Sequence, residues 1–234
     1  MVYQERTYKN YIKASDLIRF EVIEKETDLL VLAEKNLYDK ALGLVLKYRG
    51  EIEKYTKENP RFSKSYSPLW SRFNAPPIIK EMIRGSRKAR VGPMASVAGT
   101  IAEFVGRELL DFSEEIIIEN GGDLFLNIKQ TRKFEVNAQL ALEVEPRDKP
   151  FSICTASGTT GKCFSFGQAD AVVVISQRAA LADAAATAIG NIVKEVTDID
   201  HALKKARKIR GLDGVLIIKD DQVGVLGRVK LVPL

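Results

Sequence analysis

The stretch Ser176-Gln-Arg-Ala-Ala-Leu-Ala-Asp-Ala-Ala-Ala-Thr-Ala-Ile-Gly-Asn191 is rich in alanine. Alanine favours the α-helix more than any other residue, so the stretch predicts a helix, with Ser176 as its N-cap. Asp183 and Thr187 lie four residues apart and therefore project from one face. Five apolar residues lie on the opposite face, which predicts that this face is buried: Leu181, Ala185, Ile189, Ile192 and Val196.

The aspartate and the threonine on this helix support two interpretations. Apart from Asp183, charged residues stand only at the helix ends, so small residues flank the pair. A carboxylate and a hydroxyl one turn apart suit a hard cation and leave room for a substrate phosphate. The alternative is a tightly packed helix in which Asp183 accepts a hydrogen bond from a neighbouring backbone amide. The spacing alone does not decide between the two.

The amino-acid composition is typical of a globular protein. The chain has 234 residues, of which 45% are hydrophobic and 29% charged. The charged first 25 residues do not resemble a signal peptide, and no apolar run reaches the roughly 20 residues that a membrane span needs. We therefore expect a cytoplasmic protein without a membrane partner. We expect one domain over residues 1–234, in which residues 1–75 form N-terminal strands, a helix and a loop and residues 76–234 carry the motifs.

Net charge and cysteine usage narrow the class of ligand. The formal net charge of +5 favours an anionic ligand, but no aromatic-basic RNA motif is present, so nucleic acid is disfavoured as a partner. Cys154 and Cys163 match no zinc-binding pattern, and the single histidine, His201, lies in a basic stretch. The simpler interpretation is that both cysteines are reduced thiols. The number of subunits stays open, a homodimer included.

Hydrophobic periodicity predicts a mixed α+β fold, because strands and helices do not alternate simply. Strand patterns occur before residue 34 and over residues 115–119, 124–128, 133–144, 151–155, 169–175, 214–218, 222–226 and 228–232; helical patterns cover residues 36–57, 93–110, 176–191 and 198–209. Residues 61–77 have the composition of a loop. The helix after Gly92-Pro93 carries a row of small residues (Ala95, Gly99, Ala102 and Gly106), which predicts the close approach of another helix or of a ligand.

Three segments outside the central helix have the chemistry of phosphate or flavin contacts. Residues 80–90 carry five basic residues against one acid and lead into a helix start, which suits a phosphate cradle or a solvated surface. Asn120-Gly121-Gly122-Asp123 is by itself a good hairpin turn. Ser157-Gly158-Thr159-Thr160 offers backbone amides and short hydroxyl donors to a phosphate or an isoalloxazine edge, although it is not a Walker loop.

Together, the Asn120–Asp123 turn, Ser157-Gly158-Thr159 and the segment Leu181-Ala-Asp-Ala-Ala-Ala-Thr-Ala188 resemble ApbE-like proteins, the superfamily of the flavin transferases. The likeness covers residues 92–191 best and is closest to an uncharacterised soluble ApbE-like family. It implies an α+β, T-fold-like architecture, in which a mixed sheet is packed against helices.

The resemblance also implies a chemistry and a set of site residues. ApbE transferases use FAD and Mg2+ to move FMN onto a threonine of an acceptor protein. Carried over, Asp183 and Thr187 are catalytic and metal-binding residues, and the backbone carbonyl of Ala95 is a third metal ligand. The implied dinucleotide contacts are Asn120, Gly121, Gly122, Asp123, Ser157, Gly158, Thr159 and Thr160.

One departure from the transferases concerns the reaction itself. Their His-containing segment ending in Pro-x-Thr-Gly is missing, and Lys162-Cys-Phe-Ser-Phe-Gly167 stands in its place. Two functions therefore remain open. One is Mg2+-dependent FMN transfer, or cleavage of the pyrophosphate of FAD or a related dinucleotide. The other is non-catalytic binding of a flavin or nucleotide in the service of a metabolic partner.

Overall fold

The computed structural model describes residues 14–158 and 166–234, which build a large β-sheet covered on both faces. Eight strands form this sheet in the order β1-β2-β3-β4-β7-β8-β9-β10, and every pairing is antiparallel, so the sheet is not mixed. The strands are β1 Ile18–Glu24, β2 Thr27–Ala33, β3 Ile116–Asn120, β4 Asp123–Asn127, β7 Phe151–Ala156, β8 Ala171–Ser176, β9 Gly214–Lys219 and β10 Gln222–Gly227.

The α-helices cover one face of this sheet. They are α1 Tyr38–Glu58, α2 Arg61–Lys64, α3 Pro77–Ala89, α4 Val97–Leu109, α5 Ala179–Gly190 and α6 Ile199–Ala206. The helices α1, α3 and α4 share a hydrophobic core with strands β1 to β4, and α5 and α6 share a second core with β7 to β9. A short 3-10 helix, Pro93–Ser96, leads into α4.

A second, three-stranded sheet covers the other face. It has the order β11-β6-β5, formed by Leu231–Pro233, Leu140–Val144 and Arg132–Glu135. Strand β2 shows why both faces must be covered, since all seven of its residues are buried. Its Leu29 and Val31 contact the helical core, whereas Leu30 and Leu32 contact the core under the small sheet. Alternate residues of a strand point to opposite faces, so the apolar run of β2 fits this three-layer α+β fold.

The structure also corrects four further details of the prediction. Residues 61–64, at the start of the predicted loop over residues 61–77, form the short helix α2. Residues 133–144 form a hairpin of two strands, β5 and β6, where one strand was predicted. Ser176 is the last residue of β8, and the residue that precedes the first turn of α5 is Arg178, so the predicted N-cap is wrong. The basic run of residues 80–90 lies largely inside α3, which the charge pattern had not indicated as a helix.

The turn between β3 and β4 has the backbone that its sequence predicts. Asn120 and Asp123 are paired across the hairpin, and Gly121 and Gly122 have φ angles of 67° and 101°. Residues with a Cβ avoid such angles, so the glycines make this tight turn possible. Within the described residues, no helix is long and apolar enough to cross a membrane.

Two glycine-to-alanine substitutions should change stability in opposite directions. A Cβ at Gly121 or at Gly43 of α1 would meet no atom within 4 Å, so neither substitution causes a clash. We expect Gly121→Ala to lower the free energy of unfolding by about 1–2 kcal/mol, because its φ is left-handed. Gly43→Ala should raise it by up to about 1 kcal/mol through helix propensity. Urea denaturation measures both; a loss of stability in both variants would contradict the assignment to backbone strain.

Candidate functional site

The candidate site is built around the contact between helices α4 and α5, which pack side by side. Asp183 lies one turn into α5 and is only 9% exposed. Its Oδ2 accepts a hydrogen bond from the backbone N–H of Gly99 at 3.0 Å, and the backbone N–H of Ala98 also donates to this carboxylate. Both amides belong to the first turn of α4, where N–H groups lack helical partners. Asp183 therefore caps α4, as the packed-helix alternative predicted.

A second carboxylate caps α5 in return. Glu103 of α4 has a side chain that is 2% exposed, and its Oε2 accepts from the backbone N–H of Ala179 at 2.7 Å. Its Oε1 accepts from Nε of Arg107 at 2.8 Å. Each helix thus supplies the acid that satisfies the amino end of the other, which fixes α4 and α5 as an antiparallel pair. Sequence analysis missed Glu103, because its partner lies 76 residues away.

The row of small residues on α4 makes room for two different neighbours. A Cβ at Gly99 would lie 3.1 Å from Cβ of Asp183 and 3.1 Å from Sγ of Cys154. A Cβ at Gly106 would lie only 2.1 Å from the ring of Phe125. The approaching body is therefore α5 at one end of α4 and an aromatic ring of β4 at the other. The same contacts place the buried Cys154 thiol close to Asp183.

The β3–β4 hairpin brings a second aspartate to Asp183. Asn120 donates from Nδ2 to the backbone carbonyl of Ala98 at 2.9 Å, which ties the turn to the amino end of α4. Asp123 is 2% exposed, accepts from the backbone N–H of Thr155 at 3.2 Å, and is hydrogen-bonded to the carboxyl of Asp183. The turn and the central helix, which the sequence resemblance linked, thus meet through their aspartates.

Burial dominates the electrostatics of this cluster. It raises the pKa of Asp123 well above the usual range, and the adjacent charge of Asp183 raises that pKa further. Burial also raises the pKa of Asp183, although its hydrogen bond from Gly99 opposes the shift. Burial, followed by the charge of Asp123, raises the pKa of the Cys154 thiol, so this thiol stays protonated near neutral pH.

The remaining predicted site residues lie on α5 or on segments near it. Thr187 is half-buried one turn beyond Asp183 on α5. Ala95 is half-buried in the 3-10 helix Pro93–Ser96, which packs against α5. Ser157 and Gly158 follow β7, and the backbone N–H of Gly158 donates to the carbonyl of Ala169 at 2.9 Å. Thr159 and Thr160, which were also predicted to contact the dinucleotide, lie outside the described residues.

An aromatic pair that the sequence did not indicate lies near the carboxyl end of α5. The rings of Tyr66 and Phe166 meet edge to face with centroids 5.7 Å apart, and both side chains are largely exposed. The backbone N–H of Phe166 donates to Oδ1 of Asn191 at the end of α5. Ser65, the residue before Tyr66, packs against Gly92. A Cβ at Gly92 would lie 1.8 Å from the carbonyl oxygen of Ser65. The pair is thereby held near Ala95 and the last turn of α5.

Apart from the protonated thiol of Cys154, the cluster offers oxygen donors. Within residues 14–158 and 166–234, no group of three or more histidine, cysteine, aspartate or glutamate side chains could hold a metal ion. A cation bound to Asp183 would need the hydroxyl of Thr187 or a backbone carbonyl as a further ligand. Such a mixed set of hard oxygen ligands suits Mg2+ and does not suit a soft transition metal.

The fold and the paired aspartates define an ApbE-like α+β protein. The family model described as "AbpE bacteria" matches residues 9–225, and the chain belongs to this family. Two relatives are UPF0280 proteins of archaea. The protein MJ1526 of Methanocaldococcus jannaschii is 40% identical over 221 residues, covering 89% of this chain and 90% of the relative. That of Archaeoglobus fulgidus is 34% identical over 216 residues, covering 89% and 91%.

Solved structures share the fold at low sequence identity. The apo form of the flavinyl transferase ApbE from Pseudomonas stutzeri has a TM-score of 0.60 and 13% identity, with 92% of this chain and 94% of that chain covered. A mutant of the flavin transferase ApbE from Vibrio cholerae has a TM-score of 0.56 and 14% identity, with 91% and 97% covered. These likenesses confirm the predicted ApbE-like architecture over nearly the whole chain.

Proposed function

We propose that this protein binds FAD together with Mg2+ and transfers FMN to a hydroxyl group of an acceptor protein. The observation that carries the proposal is the buried contact between the carboxyls of Asp123 and Asp183, in a chain of the ApbE-like family. Transferases named for this flavin chemistry share the fold. The cytoplasmic location and the single domain over residues 1–234 stay predictions.

The residues around the carboxyl pair fit a divalent cation. No lysine or arginine of the described chain forms an ion pair with Asp123 or Asp183. Two carboxylates in contact away from water cannot both stay ionised without a compensating charge. A proton supplies it where the pKa of Asp123 is raised, and a cation can displace that proton. Asp183, Thr187 and the backbone carbonyl of Ala95 would hold it, while the Asp123 carboxyl orients Asp183. When bound, Mg2+ neutralises the negative charge of a pyrophosphate.

The surroundings of the cluster also suit a dinucleotide with a planar ring. Tyr66 and Phe166 offer exposed aromatic surface, against which an isoalloxazine ring can pack. The turn at Gly121 and Gly122 carries no side chain, so it lets a ligand approach the backbone closely. Asn120, Asp123, Ser157 and Gly158 complete the proposed contacts, together with Thr159 and Thr160.

In the proposed reaction the acceptor hydroxyl oxygen attacks the phosphorus atom of the FMN half of FAD. A new phosphorus–oxygen bond forms to the acceptor, and the bond to the bridging oxygen of the AMP half breaks. AMP leaves with the electron pair of that bond, and the hydroxyl proton is released. No oxidation or reduction occurs. The contribution of this chain is to position the two phosphates beside Asp183 and to hold the flavin ring at the rim.

One observation favours the second candidate, a non-catalytic binding protein. Asp183 already accepts hydrogen bonds from the amides of Gly99 and Ala98, so part of its lone-pair capacity is used for capping α4. A carboxylate has about four acceptor sites, so capping and cation binding are compatible, but capping alone also explains the residue. Binding and turnover must therefore be measured separately.

The test combines a binding signal with a product signal. FAD titrated into the purified protein should quench the emission of Trp70, the only tryptophan, with greater affinity in Mg2+ than in a chelator. Chromatography should then detect release of AMP that requires Mg2+. Tight FAD binding without AMP, even with hydroxyl-containing peptides present, would establish the non-catalytic binder instead. Absence of FAD binding under both conditions would overturn both candidates.

A further inference from the structure

A strip of exposed aromatic rings leads away from the candidate site along helix α3. Residues 65–76 run back along this helix, since Ser65 contacts Gly92 just beyond its end, whereas Phe73 lies over Lys80 in its first turns. Between these points the guanidinium of Arg87 stacks on Trp70, 3.2 Å from the ring centroid. Tyr66, Trp70 and Phe73 are 79%, 78% and 100% exposed. Large aromatic rings this exposed on a loop indicate a contact surface.

The same strip carries an excess of positive charge. The exposed face of α3 and its C-cap present five cationic side chains: Lys80, Arg84, Arg87, Lys88 and Arg90. The only acid in this part of the helix is Glu81, which is largely buried and is shared between Arg84 and Arg178. Among the described residues, Lys80, Arg87, Lys88 and Arg90 form no ion pair. The surface therefore complements a partner that is both acidic and partly apolar.

The dimensions of the strip suit an extended chain. Lys80 and Arg87 lie seven residues apart on one helix, which separates them by about 10 Å. An extended peptide covers that distance in about three residues. Alternate side chains of such a peptide can contact the aromatic rings, while its carboxylates meet the cations. The strip then continues to Tyr66 and Phe166 at the rim of the candidate site.

We propose that this strip docks the acceptor protein, by binding an acidic, extended segment that flanks the hydroxyl residue to be modified. The inference rests on the proposed function, because the strip ends at the rim that would hold the flavin ring. A single-stranded nucleic acid is the less suitable occupant. It would stack its bases on open ring faces, but the guanidinium of Arg87 covers one face of Trp70.

Trp70 makes the proposal directly measurable, because it is the only tryptophan. The probe is a short synthetic peptide of glutamate, phenylalanine and serine with one central threonine; the comparison peptide has lysine in place of glutamate. The acidic peptide should change the emission of Trp70 and the lysine peptide should not. The double variant Lys80→Glu/Arg87→Glu should bind the acidic peptide at least about tenfold more weakly. The matched variant Lys204→Glu/Lys205→Glu, with the same charge change on α6, should bind it nearly normally.

The outcomes separate this proposal from the proposed function. Equal binding of the two peptides, or equal losses in the two double variants, would overturn the docking strip. So would tighter binding of a thymidine oligonucleotide that Lys80→Glu/Arg87→Glu abolishes, since that result would assign the strip to nucleic acid. If the strip is correct, this variant still binds FAD normally. Peptide binding in a protein that binds no FAD would overturn the acceptor role, whereas FAD turnover without peptide binding would overturn the strip alone.

Discussion

Asp183→Asn should lower the Mg2+-dependent release of AMP from FAD by at least about a hundredfold, equivalent to about 2.7 kcal/mol, and should leave thermal unfolding almost unchanged. The asparagine Oδ1 can still accept the hydrogen bond from Gly99, so the amino end of α4 remains capped. The amide group can also donate to the carboxyl of Asp123. What the variant loses is the negative charge that attracts a cation. The substitution should therefore lower the activity without lowering the stability.

Two further variants identify the cause of the effect. Asp183→Ala should lose the turnover and also about 1–2 kcal/mol of stability, because it removes the cap as well as the charge. Asp198→Asn is the matched control: Asp198 accepts from the amides of Lys194 and Glu195 on an exposed turn, so the same chemical change there should leave turnover intact. If Asp183→Asn kept the wild-type dependence on Mg2+ and the wild-type rate, Asp183 would be only a capping residue.

Predictions that rested on short-range signals agree best with the structure. The strands around Asn120-Gly121-Gly122-Asp123 were predictable, because glycine accommodates positive φ angles in a two-residue turn. The long helix α1 followed from its apolar periodicity and ends at Glu58, before Pro60. By contrast, the charge density of residues 80–90 obscured helix α3, although its buried residues recur at helical spacing. One face of α3 packs on the core and the other carries the cations.

Features that depend on tertiary contacts could not be predicted from the sequence. Ser176 has the side chain of a good N-cap, but its hydroxyl donates to the carbonyl of Gly211, and the carboxylate of Glu103 satisfies the start of α5. The spacing of Asp183 and Thr187 predicted a shared face. It did not predict that α4 and the β3–β4 hairpin would cover that face and bring Asp123 into contact. Tyr66 and Phe166 are 100 positions apart in the sequence, and no local pattern predicts their contact.

The reciprocal caps explain how the fold keeps a carboxylate in position inside an alanine-rich interface. Alanines 179, 180, 182, 184, 185 and 186 are all buried, which allows close packing but offers few directional contacts. The two acidic side chains supply that direction, since Glu103 accepts from the start of α5 and Asp183 accepts from the start of α4. The register of α5 against α4, and hence the location of Asp183, therefore depends on Glu103.

Glu103→Ala should lower the free energy of unfolding by about 2–4 kcal/mol. The substitution leaves the buried N–H of Ala179 without its acceptor and Arg107 without its ion-pair partner, and it empties space in the core. Glu53→Ala removes an exposed glutamate that contacts Lys25 and Arg49 on the surface, so its loss should stay below about 1 kcal/mol. Urea denaturation of the two variants measures this difference.

The conservative variant Glu103→Gln separates positioning of α5 from general stability. Its amide oxygen can still accept from Ala179, so we expect it to recover about half of the lost stability and most of the Mg2+-dependent affinity for FAD. Glu103→Ala, measured at a temperature where it remains folded, should bind FAD equally well with and without Mg2+, because α5 no longer holds Asp183 in register. A folded Glu103→Ala protein that keeps the full effect of Mg2+ would contradict the dependence of the site on this cap.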